Sequence, residues 1–362
     1  MLSEENLEAI LDAQFDNILS LPMRHSAAVT KLLKETEGRW DEDPKGAEQF
    51  YLDETDEPAR YAERTVMKKQ RTTHVSMDGC VCVVTGANSG VGFETSLQLA
   101  RHGAHLVMGF RNQARGAAAK ARIQAVARGQ VDLILADLSS LAEVRKLAKT
   151  LLDRYPKIHV LVNNAGLYNT KKEITVDGFE AVFAVNYLAA FLLTHLLLDR
   201  IKASAPSRII NVNSKGHQFG GLDLNDLLWE KRRYRGLKGY GASKTAGIMF
   251  TRELADRLAG TGVTVLMPHP GEVHSNIGLN NGPIYRFFRK LVIDRMLKPT
   301  PLSGEALYYL AASPEVERNS GKYFNMTHLQ KPAKHALDRS LGRTLWMISE
   351  QLTGLVTPTT TR

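Results

Sequence analysis

Cysteine is nearly missing from this chain. Two residues, Cys80 and Cys82, occur among 362, too few and too close together for a disulfide framework or a closed zinc site. Their setting, GCVCVVTGANSG, reads as a buried strand in which free cysteine acts as a small hydrophobe, and a reducing compartment follows. No charged-then-apolar pattern opens the sequence, and its start is too acidic for an ordinary transit peptide. The expectation is a protein that is not secreted, cytoplasmic or peripheral on an intracellular membrane. The most apolar stretch, VNYLAAFLLTHLLL (185–198), is expected to fall short of a membrane span, broken by Thr194 and His195. Internal repeats and low-complexity tracts are absent too, and no metal site is read from the sequence.

Acidic residues are scarce everywhere but at the start. Residues 1–79 carry 17 acidic and 10 basic side chains, a net of −7, while the remainder carries +16. The basic residues of the body are scattered through predicted helices rather than massed in one tract, so no nucleic-acid partner is expected. Residues 1–79 read as a partly helical acidic accessory arm: NLEAILDAQFDNILSL has helical spacing, but the proline-punctuated stretch after it has no clear period.

From residue 80 to 362 the pattern is that of one domain. CVCVVTG, AHLVMGF, VDLILADL, IHVLVNNAG, SRIINVNS and VTVLMPHPG are six candidate strands. Their continuous rather than alternating apolar character is that of strands covered on both faces. Helical stretches separate them: GFETSLQLARHG, with Gly103 as its C-terminal cap, and SSLAEVRKLAKTLLDRYP, which starts on capping serines and stops at a proline. In a last helix Leu341, Leu345, Ile348, Leu352 and Leu355 form a stripe suited to core packing. This βαβ series predicts an α/β, Rossmann-type doubly wound parallel sheet with ligands at the carboxyl ends of its strands.

TGANSGVG sets Gly86, Gly90 and Gly92 between a strand and a helix. Glycines there permit a tight turn and close backbone approach, and the helix N-terminus offers N–H groups to a pyrophosphate. Asn88, Ser89 and Val91 belong to the same candidate cofactor loop. The next strand ends in VMGFRN, with Arg111 and no acid before it. A guanidinium there suits the 2′-phosphate of NADP(H), whereas a carboxylate would indicate NAD(H). Asp137, followed by Leu138, is placed to meet the adenine or to cap a helix.

In this order TGANSGVG, NNAG (163–166), VNYL around Asn186, NVNS ending at Ser214, YGASK, and HPGEVHSNI from His269 resemble the short-chain dehydrogenase/reductase family. TVDGFEAVFAVNYLAAFLLTHLLL, SGKYF and RTLWMISEQLTGL resemble its retinol-dehydrogenase-like branch, which includes the oxidoreductase domain of the WW-domain oxidoreductase. The resemblance spans residues 80 to about 330 and leaves the arm unmatched. It implies Asn186, Ser214, Tyr240 and Lys244 as the catalytic set. Tyr240 and Lys244 also count among the cofactor contacts, and Lys244 holds the nicotinamide ribose. Ser214 orients the substrate oxygen, and Asn186 holds a relay water. Asn163, Ala165 and Gly166 then line the adenine ribose and stabilise the sheet, while Pro270, Gly271, Val273 and Ser275 face the nicotinamide. The 26-residue interval from Ser214 to Tyr240 is about twice the usual one, matching an insertion typical of that branch, and Asn213 replaces the first serine of the usual pair.

A second tyrosine–lysine pair with the same spacing, Tyr234 and Lys238, lies in KRRYRGLKG, where Gly236 and Gly239 are expected to interrupt a helix. Tyr240 is the stronger candidate because an amphipathic helix follows it. A free tyrosine, pKa about 10, needs a shift of about three units to serve near neutral pH, roughly 4 kcal/mol. One ammonium about 4 Å away supplies that order of energy at an effective dielectric of 20. His217, His269 and His274 read as loop or supporting histidines rather than as acids or ligands. The basic amphipathic stretch 283–301 reads as a substrate lid, near 278–302, over a bulky apolar ligand; its residues 283–298 would also suit a membrane surface. The reading is thus an NADP(H)-dependent enzyme interconverting a lipophilic ketone or aldehyde and its alcohol, with a homodimer left open. The alternative is a non-catalytic NADP-binding sensor or scaffold whose arm engages a partner.

Overall fold

Strands form where the apolar runs can be covered from both sides. In the computed structural model, which describes residues 71–271, 281 and 300–355, they are β1 (Val81–Thr85), β2 (His105–Phe110), β3 (Val131–Leu135), β4 (Val160–Asn163), β5 (Ser207–Asn211), β6 (Val263–His269), β7 (Lys322–Asn325) and β8 (His328–Gln330). They make one sheet in the order β3-β2-β1-β4-β5-β6-β7-β8. All pairs are parallel except β7 with β8. Every residue of β4, β5 and β6 is buried, as helices on both faces require. The six expected strands are β1 to β6. The short edge hairpin β7–β8 was not expected as strands, since KYFN and HLQ are too short to show a period.

Alternate residues along the strands feed two cores. On one face Val83, Val107, Leu161, Ile209 and Val265 pack beneath α3 (Leu141–Arg154), α4 (Ala181–Lys202), α5 (Gly236–Arg257) and α7 (Arg339–Leu352). On the other, Cys82, Val84, Leu106, Met108, Val162 and Leu266 meet α1 (Gly90–Arg101), α2 (Gln113–Gln124) and α6 (Pro301–Ala312). Cys82 is fully buried, which pushes its thiol pKa well up. The leucine stripe of α7 packs as expected, with Leu345 buried and Leu341, Ile348, Leu352 and Leu355 against the same core.

Helix ends follow their capping residues. Gly103 lies just past α1 with φ +98°. Ser140 accepts the Glu143 N–H at the start of α3, which stops before Tyr155 and Pro156. Two expectations need correction. The apolar stretch at 185–198 extends into the 22-residue α4, long and apolar enough by composition to cross a membrane, yet mostly buried between α3 and α5. And α5 begins at Gly236, four residues before Tyr240. Its glycines do not break it, because neighbours pack where their side chains would be: a Cβ on Gly236 would lie 2.6 Å from the Asn169 carbonyl oxygen, and one on Gly241 2.6 Å from the Gly220 nitrogen.

Residues 71–78, the described end of the acidic arm, are tied to the domain. Arg71 N–H donates to Thr327, Met77 N–H donates to the His102 carbonyl, and Tyr308 donates to the Val75 carbonyl. Residues 1–70, and the expected lid and membrane segment at 283–298, lie outside the described residues.

Phe191 is fully buried on α4 among Tyr187, His195, Phe250 and Trp346, with ring centroids 4.1 to 6.0 Å apart. Phe191→Ala should lower unfolding free energy by about 3–5 kcal/mol, read from urea denaturation followed by tryptophan fluorescence.

Candidate functional site

The order of the sheet reverses between β1 and β4, and both strands deliver their C-terminal residues to that crevice. Gly86 and Gly90 have φ +65° and +53°, a region that favours glycine. A Cβ on Gly86 would stand 2.9 Å from Ala165 Cα, and one on Gly92 would stand 2.3 Å from Asn164 Nδ2 and 2.4 Å from the Gly86 carbonyl oxygen. The two motifs TGANSGVG and NNAG therefore interlock. Asn164 Nδ2 donates to the carbonyls of Thr85 and Gly86, and Thr85 Oγ1 accepts the N–H groups of Asn164 and Ala165. Thr85 and Asn164 were missed as site residues although both stand inside the quoted motifs.

This loop leads into α1, whose cap Ser89 makes no side-chain bond and whose first turn holds no acid. The positive end of the helix is left uncompensated beside a backbone stripped of side chains. Such a cradle fits a pyrophosphate. Asn88 and Ser89 are half-buried at its rim, and Val91 is buried behind it. Arg111, the first residue beyond β2, is exposed; Asp137, two beyond β3, accepts both the N–H and the hydroxyl of Ser139. Leu138 packs on the core. Asn163 points inward, where its Nδ2 donates to Thr194 and Asn211, while Gly166 is exposed in the crevice. Beyond β6, Ser303 donates to the Pro270 carbonyl, and Gly271 turns at φ +85° with room for no side chain beside Met326. Val273, His274 and Ser275 lie outside the described residues.

The candidate reacting groups named from the sequence converge from the end of β5 and from α5. Lys244 follows Tyr240 by one helical turn, its Nζ 5.6 Å from the Tyr240 ring centroid and donating to the Val212 carbonyl at 3.1 Å. Gly216 separates the ring from Ser214: a Cβ there would be 2.6 Å from Tyr240 Cε1 and 3.4 Å from Ser214 Oγ. Ser214 Oγ accepts the Gly216 N–H at 3.0 Å, and Asn213 accepts the Ser214 N–H while donating to the Lys244 carbonyl. On another side Tyr168 meets the Tyr240 ring edge-on, centroids 5.9 Å apart. Burial pushes the Lys244 pKa down to about 8, so the ammonium persists at neutral pH. An ammonium this close to the ring favours a phenolate over a phenol.

Asn186 sits in a π-helical turn, Ala184–Leu188, inside α4, a distortion frequent at functional sites. Its amide accepts the Leu167 N–H and donates to the Leu167 carbonyl and to Ser243 Oγ. Ser243 in turn donates to the Tyr240 carbonyl. Asn186 thereby braces the β4 exit against α5, a role the sequence motif did not reveal.

The second pair fails on geometry. Tyr234 precedes α5 in the inserted segment, Lys238 is exposed, and the Tyr234 phenol is pushed far up in pKa by burial and then by the neighbouring Glu180 carboxylate. His269 is fully buried at the end of β6, pushed down to about 3 by burial and by the charges of Lys215, His217 and Lys244. Among the described residues no cluster of His, Cys, Asp and Glu could hold a metal.

The short chain dehydrogenase family model matches residues 80–282. Retinol dehydrogenase 13 of Homo sapiens is 38% identical over 288 residues, covering 78% of this chain and 87% of the relative. Retinol dehydrogenase 14 of Homo sapiens is 40% identical, covering 77% and 88%. Among solved structures, an uncharacterised protein from Mycobacterium paratuberculosis superposes with TM-score 0.63 at 32% identity, over 79% of this chain and 98% of that one. A short chain dehydrogenase from Burkholderia cenocepacia in complex with NADP shares the fold at 23% identity and TM-score 0.55, over 70% and 98%.

A test of the buried ammonium follows from its sign. The unfolded chain holds the Lys244 proton more tightly than the folded one. The penalty is therefore fully present below about pH 8 and is lost as pH rises toward the ordinary lysine value of 10.5. Relative to Lys244→Met, the wild type should gain up to about 3 kcal/mol of stability between pH 7 and pH 10.5 in urea titrations; a pH-independent difference would contradict it.

Proposed function

The chain belongs to the short-chain dehydrogenase/reductase family, on its retinol-dehydrogenase-like branch, and from that premise we propose that it is an NADP(H)-dependent oxidoreductase interconverting a lipophilic ketone or aldehyde and its alcohol. The observation that carries this reading is that the Tyr240 ring meets Lys244 and, across Gly216, Ser214, at the strand ends that also present the glycine loop. The family binds NAD(P); here Gly86, Gly90, Gly92 and the start of α1 would hold the pyrophosphate. Arg111 would hold the 2′-phosphate, Asp137 the adenine, and Lys244 the nicotinamide ribose. When bound, that dinucleotide supplies or accepts the hydride.

The residues of the chain handle the proton. In reduction, Tyr240 gives its hydroxyl proton to the carbonyl oxygen, which Ser214 orients by a hydrogen bond. The phenolate left behind is stabilised by the nearby Lys244 ammonium. Lys244 passes a proton back to Tyr240, replenished through water held near Asn186. Oxidation runs the same steps backwards, with Tyr240 as base. A lipophilic substrate is supported by the retinol named for the relatives and by the basic amphipathic stretch 283–301.

Purified protein should oxidise NADPH faster than NADH against a panel of lipophilic carbonyls, and Tyr240→Phe should lower kcat at least about a hundredfold. Arg111→Ala should raise KM for NADPH about tenfold or more and leave that for NADH unchanged, as loss of a charged hydrogen bond predicts. Tight NADPH binding without turnover on any carbonyl would turn the reading to a dinucleotide sensor.

A further inference from the structure

His217 is 1% exposed, and every polar atom of its ring and its carbonyl is engaged. Its Nε2 accepts the N–H of Ala333 at 3.1 Å. A backbone N–H only donates, so Nε2 carries no proton. The proton must sit on Nδ1, which lies 2.7 Å from the Ser214 carbonyl oxygen and donates to it. The two bonds together admit a single form of the ring, the neutral Nδ1–H tautomer. Burial keeps it neutral, with a pKa pushed down to about 4. The His217 carbonyl accepts from His335 Nε2 at 2.8 Å and from Thr245 Oγ1 at 3.1 Å, next to Lys244 on α5. The ring also stands edge-on to Tyr323 of β7.

We propose that His217 is a positioning residue for Ser214: it fixes the Ser214 main chain through the Nδ1–H bond to its carbonyl, so that the hydroxyl stays across Gly216 from the Tyr240 ring. Other bonds hold Ser214 as well. Its N–H goes to Asn213, which in turn donates to the Lys244 carbonyl of α5; its Oγ takes the Gly216 N–H; and its carbonyl also takes the His217 main-chain N–H at 3.3 Å. His217 adds a side-chain tie to that carbonyl, and its own carbonyl is held by Thr245 of α5 and by His335. The Ala333 N–H sets the tautomer that makes Nδ1 the donor. A rotation of the Ser214 peptide would break the Nδ1 bond and carry Oγ away from the point where a carbonyl oxygen must be held.

The inference rests on the proposed oxidoreductase reading, and two substitutions separate its consequences. Asparagine places an N–H where Nδ1 stands, and glutamine places an acceptor where Nε2 stands. His217→Asn should keep kcat within a fewfold of wild type. His217→Gln should lower kcat about ten- to a hundredfold, as small misplacements of a reacting group do, with KM for NADPH unchanged and with a melting temperature no lower than that of His217→Asn. Equal loss in both variants, in step with melting temperature, would make His217 a core residue and overturn the proposal; so would full activity in both. If the wild type turns over no carbonyl, the oxidoreductase reading has failed. The proposal is then judged by nitrogen-15 NMR of histidine-labelled protein. It requires His217 in the neutral Nδ1–H tautomer from pH 5 to pH 8, with the Ser214 carbonyl resonance shifting in His217→Gln and not in His217→Asn. An Nε2–H tautomer, or no such shift, overturns it.

Discussion

Burying the ammonium of Lys244 beside the Tyr240 ring is the constraint around which this site is built. A lysine 6% exposed is disfavoured by desolvation, which lowers its pKa. The fold tolerates it by giving Nζ one carbonyl, that of Val212, and by spacing Lys244 one turn from Tyr240 on the 22-residue helix α5. What destabilises the folded chain is what shifts the phenol toward phenolate. Such a buried charge is kept at a cost in stability, the trade expected where a site stores unfavourable electrostatics.

In and around this site, close approach and bracing are made by glycines and asparagines, which add no charge. Glycines stand wherever two backbones or a backbone and a ring must approach: Gly86 and Gly92 at the loop, Gly216 against Tyr240, Gly241 against Gly220. Four asparagines do the bracing. Asn163 ties β4 to β5 and α4; Asn164 clamps the glycine loop; Asn186 joins the β4 exit to α5; Asn213 links Ser214 to Lys244. An amide offers donors and an acceptor at once, so it fixes geometry on both sides without competing for the lysine proton as a carboxylate would.

Much of this was legible in the sequence. The six apolar runs become β1 to β6, Gly103 and Ser140 mark the helix ends expected of them, and YGASK lies on a continuous helix. These signals are local, set by periodicity, φ preference and capping. What escaped was set by distant contact. The start of α5 was misjudged because Gly236 and Gly239 read as breakers, whereas Tyr168, Asn169 and Tyr234 pack into the space their side chains would need. The hairpin β7–β8 is too short to announce itself and is paired only by its neighbour β6. The second tyrosine, Tyr234, has the right spacing to a lysine, but Glu180, 54 residues earlier, gives its phenol the wrong electrostatics.

The histidines carry the same logic to its end. His269 lies near Lys244 in the fold and would repel it if protonated, and His217 lies near His269 and His335. Burial holds His217 at about 4 and His269 at about 3, so neither is charged at neutral pH. A neutral imidazole differs from a charged one in more than repulsion: it has an acceptor as well as a donor. His217 uses both, one toward Ser214 and one toward Ala333, and a second proton would turn the Ala333 contact into N–H facing N–H. The environment that keeps Lys244 the charged partner of Tyr240 is thus the environment that keeps His217 able to grip Ser214. The charge of Lys244 and the placement of the Ser214 hydroxyl depend on one dry, close-packed region under the ends of β5 and β6.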